Sequence, residues 1–392
     1  MRIGEIISAI ERFAPRDFQE SWDNTGLQTG SPITECSGVL TCVDCTPEVV
    51  EEAINLGCNL IVAHHPLIFK GIKRLVGATP VEVSLIRAIE SGISVYSSHT
   101  ALDSTPGGVS YEMARRLGVT PVRALEPIAP RWVLMSVMVP VAKAEELRLA
   151  LFDAGCGEIV CGPDGKATGY DCCSFNVDGV GTFRALEGSH PAVGEHLELH
   201  HEPETKISML VSRRLLDRAR EVIADVHPYE SPAMEVIEMQ NPIPAIGLGI
   251  VGNLAEPLTP MEFIERVKKT FGSPVVRHTA IADPDVKLRR VAMCGGSGGE
   301  FIPKALASGA QVYLSSDIRY HDFVDYRNDI LIVDIGHFES EQVTKDIFYH
   351  IITQKIANFA DANGLPGESP RGHCPQIRVY KSSAEKNPIN YT

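Results

Sequence analysis

Apolar positions in the first third of the chain fall in short runs separated by stretches of helical spacing. Gly38 to Val43 predicts a strand, and Pro47 to Leu56 a helix with Thr46 as N-cap and Gly57 beyond its end. Leu60 to Ala63 is a fully apolar strand that runs straight into His64. Pro80 to Ser91 predicts a helix closed by Gly92, Ile93 to Ser97 a strand ending just before His99, and Val109 to Leu117 a helix closed by Gly118. This β-α-β-α rhythm is that of an α/β domain with a mostly parallel sheet. The last third repeats it. A strand at Arg290 to Cys294 leads into a glycine-rich turn, Gly295 to Gly299. A helix at Ile302 to Ser308, strands at Val312 to Ser315 and Ile330 to Ile335, and a long helix at Ser340 to Gln354 follow.

The middle differs. Pro121 to Pro130 reads as a proline-rich linker, and Asn241-Pro242-Ile243-Pro244 as a second. Between them, strands at Arg131 to Val139 and Lys206 to Val211 are each followed by a helical pattern, at Ala142 to Ala154 and Arg213 to Ile223. The segment is roughly 110 residues long, the size of a small domain. The expected organisation is a split outer domain, 1–127 and 242–392, with 128–241 inserted. The sheet of the outer domain is expected to be mixed and mostly parallel, with flanking helices.

A length of 392 residues favours more than one domain, and 44% hydrophobic with 22% charged residues allows a large core. The formal net charge of −14 repels nucleic acid phosphates and argues against a nucleic-acid partner. No run of about 18 apolar residues predicts a transmembrane helix, and Met1 to Arg16 is amphipathic rather than a secretory signal. The ten cysteines are scattered, which fits reduced thiols in a cytoplasmic protein. Cys42 and Cys45 form a C-x-x-C in an apolar run with no second pair at useful spacing. Structural burial is the reading for them and for Cys172-Cys173.

Three segments place ligand-type side chains at the ends of apolar strands: Ala63-His64-His65-Pro66, Ser98-His99-Thr100-Ala101-Leu102-Asp103, and Gly336-His337-Phe338-Glu339-Ser340-Glu341. Sites in open α/β sheets form at the carboxyl ends of strands. His337 and Glu341, four apart, share a face if a helix begins there. Imidazole with carboxylate suits zinc, iron, manganese or nickel better than calcium. Adjacent histidines in extended backbone point to opposite sides, so they serve two ions side by side more readily than one. Five such ligands leave coordination positions open, as a catalytic site requires. Two metals about 3.5–4 Å apart can share a hydroxide as nucleophile. His99 and His321 are candidate general acids or bases, or equally partners that orient a ligand. Asp317 is placed to bond such a histidine or to cap a helix. The glycine-rich turn reads as a tight turn rather than a phosphate cradle, and Glu339 as a solvated acid at a helix start.

The chain resembles the GTP cyclohydrolase type 2 homolog family, the Nif-three-like dinuclear metal centre proteins. The resemblance runs through the three segments above, through Ser21-Trp22-Asp23-Asn24-Thr25-Gly26-Leu27, and through Ser315-Ser316-Asp317-Ile318-Arg319-Tyr320-His321, where Thr-Gly-Asp is more usual. It implies that His64, His65, Asp103, His337 and Glu341 hold two divalent metal ions per chain. His65 and Asp103 would serve one ion, His64 and His337 the other, and Glu341 would bridge them. It also implies a homohexamer, and a ferredoxin-like, CutA/PII-like insert carrying His227-Pro228-Tyr229-Glu230-Ser231-Pro232. Two functions stand open on the sequence. One is a metal-dependent hydrolase that acts on a small molecule through a metal-bridging hydroxide, cyclohydrolase-like by resemblance. The other is a non-enzymatic role in metal binding, delivery or regulatory assembly.

Overall fold

The computed structural model describes residues 1–128, 132–161, 167–239, 244–362 and 377–392. The chain forms two compact units, Met1–Ile128 with Pro244–Thr392, and Ala129–Ile243. The architecture is mixed α/β with several mixed sheets.

The first unit contains two sheets. In one, the strand order is Gly26–Thr29, Ser94–Ser97, Leu60–Ala63, Gly38–Cys42 and Arg378–Lys381. The last four run parallel, and only Gly26–Thr29 is antiparallel to its neighbour. The central strands are buried along their whole length, which fits the wholly apolar Leu60–Ala63 between neighbours built of apolar and small residues. In the other sheet the order is Arg277–His278, Leu331–Asp334, Val312–Ser316, Leu288–Ser297, Gly247–Leu258 and Val119–Pro127. Here only the pairings of Val312–Ser316 with its two neighbours are parallel, and the other three are antiparallel. A mostly parallel sheet therefore describes the first sheet and not the second. The difference arises from Gly247–Leu258 and Val119–Pro127, whose proline and glycine content hid their strand character, and from the two-residue Arg277–His278.

The segment expected as a linker from Pro121 is largely this edge strand, paired with Gly247–Leu258; residues 129–131 lie outside the described residues. Proline is tolerated because the strand is at an edge and its register breaks between Pro121 and Arg123. One hydrophobic core joins the two sheets. Val39, Leu60, Val62 and Tyr96 of the first and Val312, Leu314 and Val333 of the second belong to it, with Ile6, Met113, Phe263 and Phe348 from four helices. These helices are Ile3–Phe13, Val109–Leu117, Pro260–Phe271 and Val343–Ala362. Cys42 and Cys45 are buried and free, as expected for structural thiols. Cys172 is exposed instead, at a positive φ of 54°.

The second unit has the element order β-α-β-β-α-β, apart from a small hairpin. Its antiparallel sheet runs Met234–Glu238, Trp132–Pro140, Leu199–Ser212, Phe175–Arg184. Thr205, Ile207, Met209 and Val211 alternate inward along the long strand. With Leu147 and Leu151 of helix Ala144–Asp153 and Ala219 and Ile223 of helix Leu216–Val226, the apolar members of that row lie in one core.

Candidate metal centre

Backbone placement brings the three sequence segments together. His64 and His65 directly follow the buried strand Leu60–Ala63. The neighbouring parallel strand Ser94–Ser97 ends at the same edge, and its continuation turns into a short helical segment, Thr100–Asp103, which ends on Asp103. From the second sheet, Leu331–Asp334 leads through Gly336 into the helix His337–Glu341. Gly336 has φ 92°, and a Cβ there would stand 2.4 Å from Glu339 Oε2. Only glycine lets the chain turn so tightly before His337.

Each histidine is oriented through Nδ1. His64 donates from Nδ1 to the Ser98 carbonyl at 3.0 Å. His65 donates to Asp44 Oδ1 at 2.8 Å, His337 to Asp317 Oδ2 at 2.7 Å, and His99 to Asp23 Oδ1 at 2.9 Å. Fixing the Nδ1 proton leaves Nε2 as the free lone pair, the usual arrangement of a metal-binding imidazole. The Nε2 atoms then converge. His65 Nε2 and His337 Nε2 lie 3.4 Å apart. Glu341 Oε2 is 2.9 Å from the first and 3.0 Å from the second. His64 Nε2 is 3.6 Å from Asp103 Oδ1 and 3.7 Å from Glu341 Oε1. His64 thus stands beside Asp103 and Glu341 Oε1, while His65 and His337 stand beside Glu341 Oε2.

Three of these atoms, His64 Nε2, Asp103 Oδ1 and Glu341 Oε2, are buried without a hydrogen-bond partner. The Glu341 oxygen is near two imidazoles but out of line with a hydrogen bond to either. Leaving buried polar atoms unpaired is costly. Divalent cations would give these atoms partners, and the donor set of imidazole and carboxylate suits them. Among the described residues, two groups of side chains have ligand atoms within 4.8 Å of one another and could hold a metal ion: His64, His65 and His99, and His65, His337 and Glu341.

The charges point the same way. Burial alone lowers His65, but the Asp44 hydrogen bond and the nearby Glu341 and Asp44 charges outweigh it and raise the pKa to about 11. His337, lowered by burial and raised by Asp317 and Glu341, reaches about 10. Burial pushes Asp103 up to about 7, against the pull of His64 and with the added repulsion of Glu341. Burial also works to raise Glu341, yet His64, His337 and His65 hold it well below the ordinary carboxylate value. Acids and imidazoles this close need shared positive charge, whether from protons or from a metal.

His99 lies beside the cluster, its ring 5.3 Å from that of His64 and 5.4 Å from that of His65. Trp22 and Phe69 stand 5.9 and 6.3 Å from it and are largely exposed. His321 is exposed on the helix Tyr320–Tyr326, edge-on to Tyr320. Among the described residues it makes no hydrogen bond or ion pair with the five.

Several supporting residues carried no assigned role in the sequence. Asp44 follows the strand Gly38–Cys42 at the same sheet edge as His64, and that position was the available signal. Asp23, in the Ser-Trp-Asp-Asn stretch, also accepts from the Thr100 amide at 2.9 Å and so anchors the turn leading to Asp103. The glycine-rich segment is not wholly a turn, because the strand Leu288–Ser297 continues through Gly295 and Gly296. Glu339 is buried rather than solvated, with Asn387 Nδ2 donating to its Oε1 at 2.8 Å.

A model of the family Duf34/NIF3 (NGG1p interacting factor 3) matches residues 1–363. The chain belongs to this family. Among Duf34/NIF3 relatives, the GTP cyclohydrolase 1 type 2 homolog of Staphylococcus epidermidis is 32% identical over the whole of both chains. That of Halalkalibacterium halodurans is 34% identical over 85% of this chain and 87% of its own. A Bacillus cereus protein related to NIF3 shares the fold at a TM-score of 0.74 and 32% identity, covering 100% of this chain and 99% of its own. Staphylococcus aureus protein SA1388 follows at 0.72 and 27%, with the same coverage. The chain carries His and Glu groups that could hold a metal ion. No helix among the described residues is long and apolar enough to cross a membrane.

Proposed function

We propose that the chain is a metal-dependent hydrolase in which His64, His65, Asp103, His337 and Glu341 hold two divalent cations. The observation that carries this reading is the meeting of the five side chains around Glu341, with His64 Nε2, Asp103 Oδ1 and Glu341 Oε2 buried without hydrogen-bond partners. When bound, the cations would polarise a substrate oxygen and acidify water for attack at neutral pH. Zinc, iron, manganese and nickel all suit the ligands.

The chain's own residues supply the remainder. Glu341 joins the two groups, with Oε1 turned toward His64 and Oε2 toward His65 and His337. His99, its Nδ1 proton held by Asp23, is left with Nε2 to take up or release a proton beside the substrate. Trp22 and Phe69 present exposed ring surface next to it. The names of the relatives point to ring opening of the GTP cyclohydrolase kind as the first chemistry to try.

The test is a screen of phosphoesters, nucleotides and cyclic amides with metal-loaded protein, comparing wild type with Glu341→Gln and His65→Ala. Turnover that vanishes in both variants supports the hydrolase. A silent screen with stoichiometric metal intact favours metal binding, delivery or regulation instead. We further read the chain as a homohexamer and the β-α-β-β-α-β unit as a CutA/PII-like insert, the latter supported by its strand order. Light scattering on the purified protein decides the first.

A further inference from the structure

Glu385 is a carboxylate with 1% side-chain exposure. Its oxygens accept from the Val43 amide at 2.9 and 3.1 Å and from the Asp44 amide at 2.5 Å, and Lys345 Nζ lies 3.2 Å away. A buried charge is retained only at a cost, offset here by three amide contacts and a cation. Those amides belong to the segment that carries the orienting partner of His65. Val43 also accepts the His65 amide through its carbonyl at 2.9 Å. The Asp44 side chain itself is about half exposed, so side-chain packing does not fix its aim at His65. Its backbone position does, and Glu385 fixes that.

Two residues further on, Asn387 holds the other side of the cluster. Its Nδ2 donates to the buried Glu339, which packs over Gly336 immediately before His337. Tyr391 OH lies over the same glycine, 3.3 Å from where a Cβ would stand. One short stretch, anchored by the parallel strand Arg378–Lys381 beside Gly38–Cys42, therefore touches both segments whose imidazoles meet at Glu341 Oε2. The His64 amide donates at 3.1 Å to the Cys42 carbonyl, part of the same peptide as the Val43 amide, but the His64 ring is aimed by the Ser98 carbonyl, and among the described residues no hydrogen bond runs from this stretch to the His64 ring or to Asp103.

We propose that residues 382–391 form a clasp that sets the spacing of His65 and His337, with Glu385 and Asn387 as positioning residues for that half of the metal centre. This rests on the reading of the five side chains as a two-cation site. Changing the clasp selectively loosens one half; a general loss of fold would loosen both.

The experiment is calorimetric titration of the full chain with zinc alone and with manganese alone, for wild type, Glu385→Gln and Asn387→Ala, with thermal melting in parallel. Wild type is expected to take two ions in two resolved steps. Each variant is expected to lose about tenfold or more in affinity at the step removed by His337→Ala. The step removed by Asp103→Ala should stay within about twofold, and melting should remain cooperative. If Glu385→Gln fails to fold, Asn387→Ala, at a less buried position, decides the matter. Equal weakening of both steps, or no change in either, overturns the clasp. Wild-type protein that takes up no cation overturns the metal reading, and the clasp's role with it.

Discussion

Gly296 lies against Glu341 so closely that a Cβ on the glycine would stand 2.2 Å from Glu341 Oε1. Its φ of 65° is left-handed as well. The strand Leu288–Ser297 thus passes directly beside the carboxylate that both ligand groups share, and the Gly296 amide donates to Ser340 Oγ at 2.9 Å on the same helix. Gly296→Ala should weaken binding of both cations together by about tenfold or more. It should also destabilise the chain by about 1–3 kcal/mol from strain and displacement. Metal titration and denaturant unfolding check the two effects.

Asp317 holds a positive φ of 54° while its carboxylate accepts from His337 Nδ1. A non-glycine residue in that region is strained, and such strain is often retained for function. Asp317→Gly should hold or raise the melting temperature, yet weaken the metal step shared with His337 by about 10–100-fold. Asp317→Asn should cause a similar weakening without relieving the strain. Melting curves and titrations on the two variants separate the contributions.

Asp23 links pH to stability. Burial works to raise its pKa, but the His99 bond and charge, with Thr100 and the Asn24 amide, hold it well below the ordinary 3.8. A depressed carboxylate stabilises the fold above its unfolded value, and that contribution fades as pH falls through the folded value. Wild-type stability should therefore begin to drop as pH goes below about 4. Asp23→Asn should be less stable at pH 7 and show a flatter acid limb. Thermal melts from pH 7 to 2.5 measure both.

The elements that position the histidines were readable because their signals are local. Leu60–Ala63 is a short apolar run buried on both faces, Ser94–Ser97 a short buried strand centred on Val95 and Tyr96, and Thr46 accepts the Val49 amide just where the cap was expected. The shared pocket was readable for a related reason, since all three ligand segments sit at strand ends. What escaped was set by distant partners. Glu339 looks solvated beside its neighbours in sequence, and becomes buried only because Asn387 and Gly336 close over it. Val119–Pro127 resembles a linker until Gly247–Leu258 supplies its ladder. The grouping of His64 with Asp103 depends on side-chain direction across two segments, which strand periodicity alone does not decide.

Five side chains from three strand ends are proposed to hold two cations. Anomalous scattering from crystals loaded with manganese or zinc tests it most directly. The account predicts two peaks, one bounded by His64 and Asp103 and the other by His65 and His337, with Glu341 touching both. A single peak, or peaks away from Glu341, would contradict it.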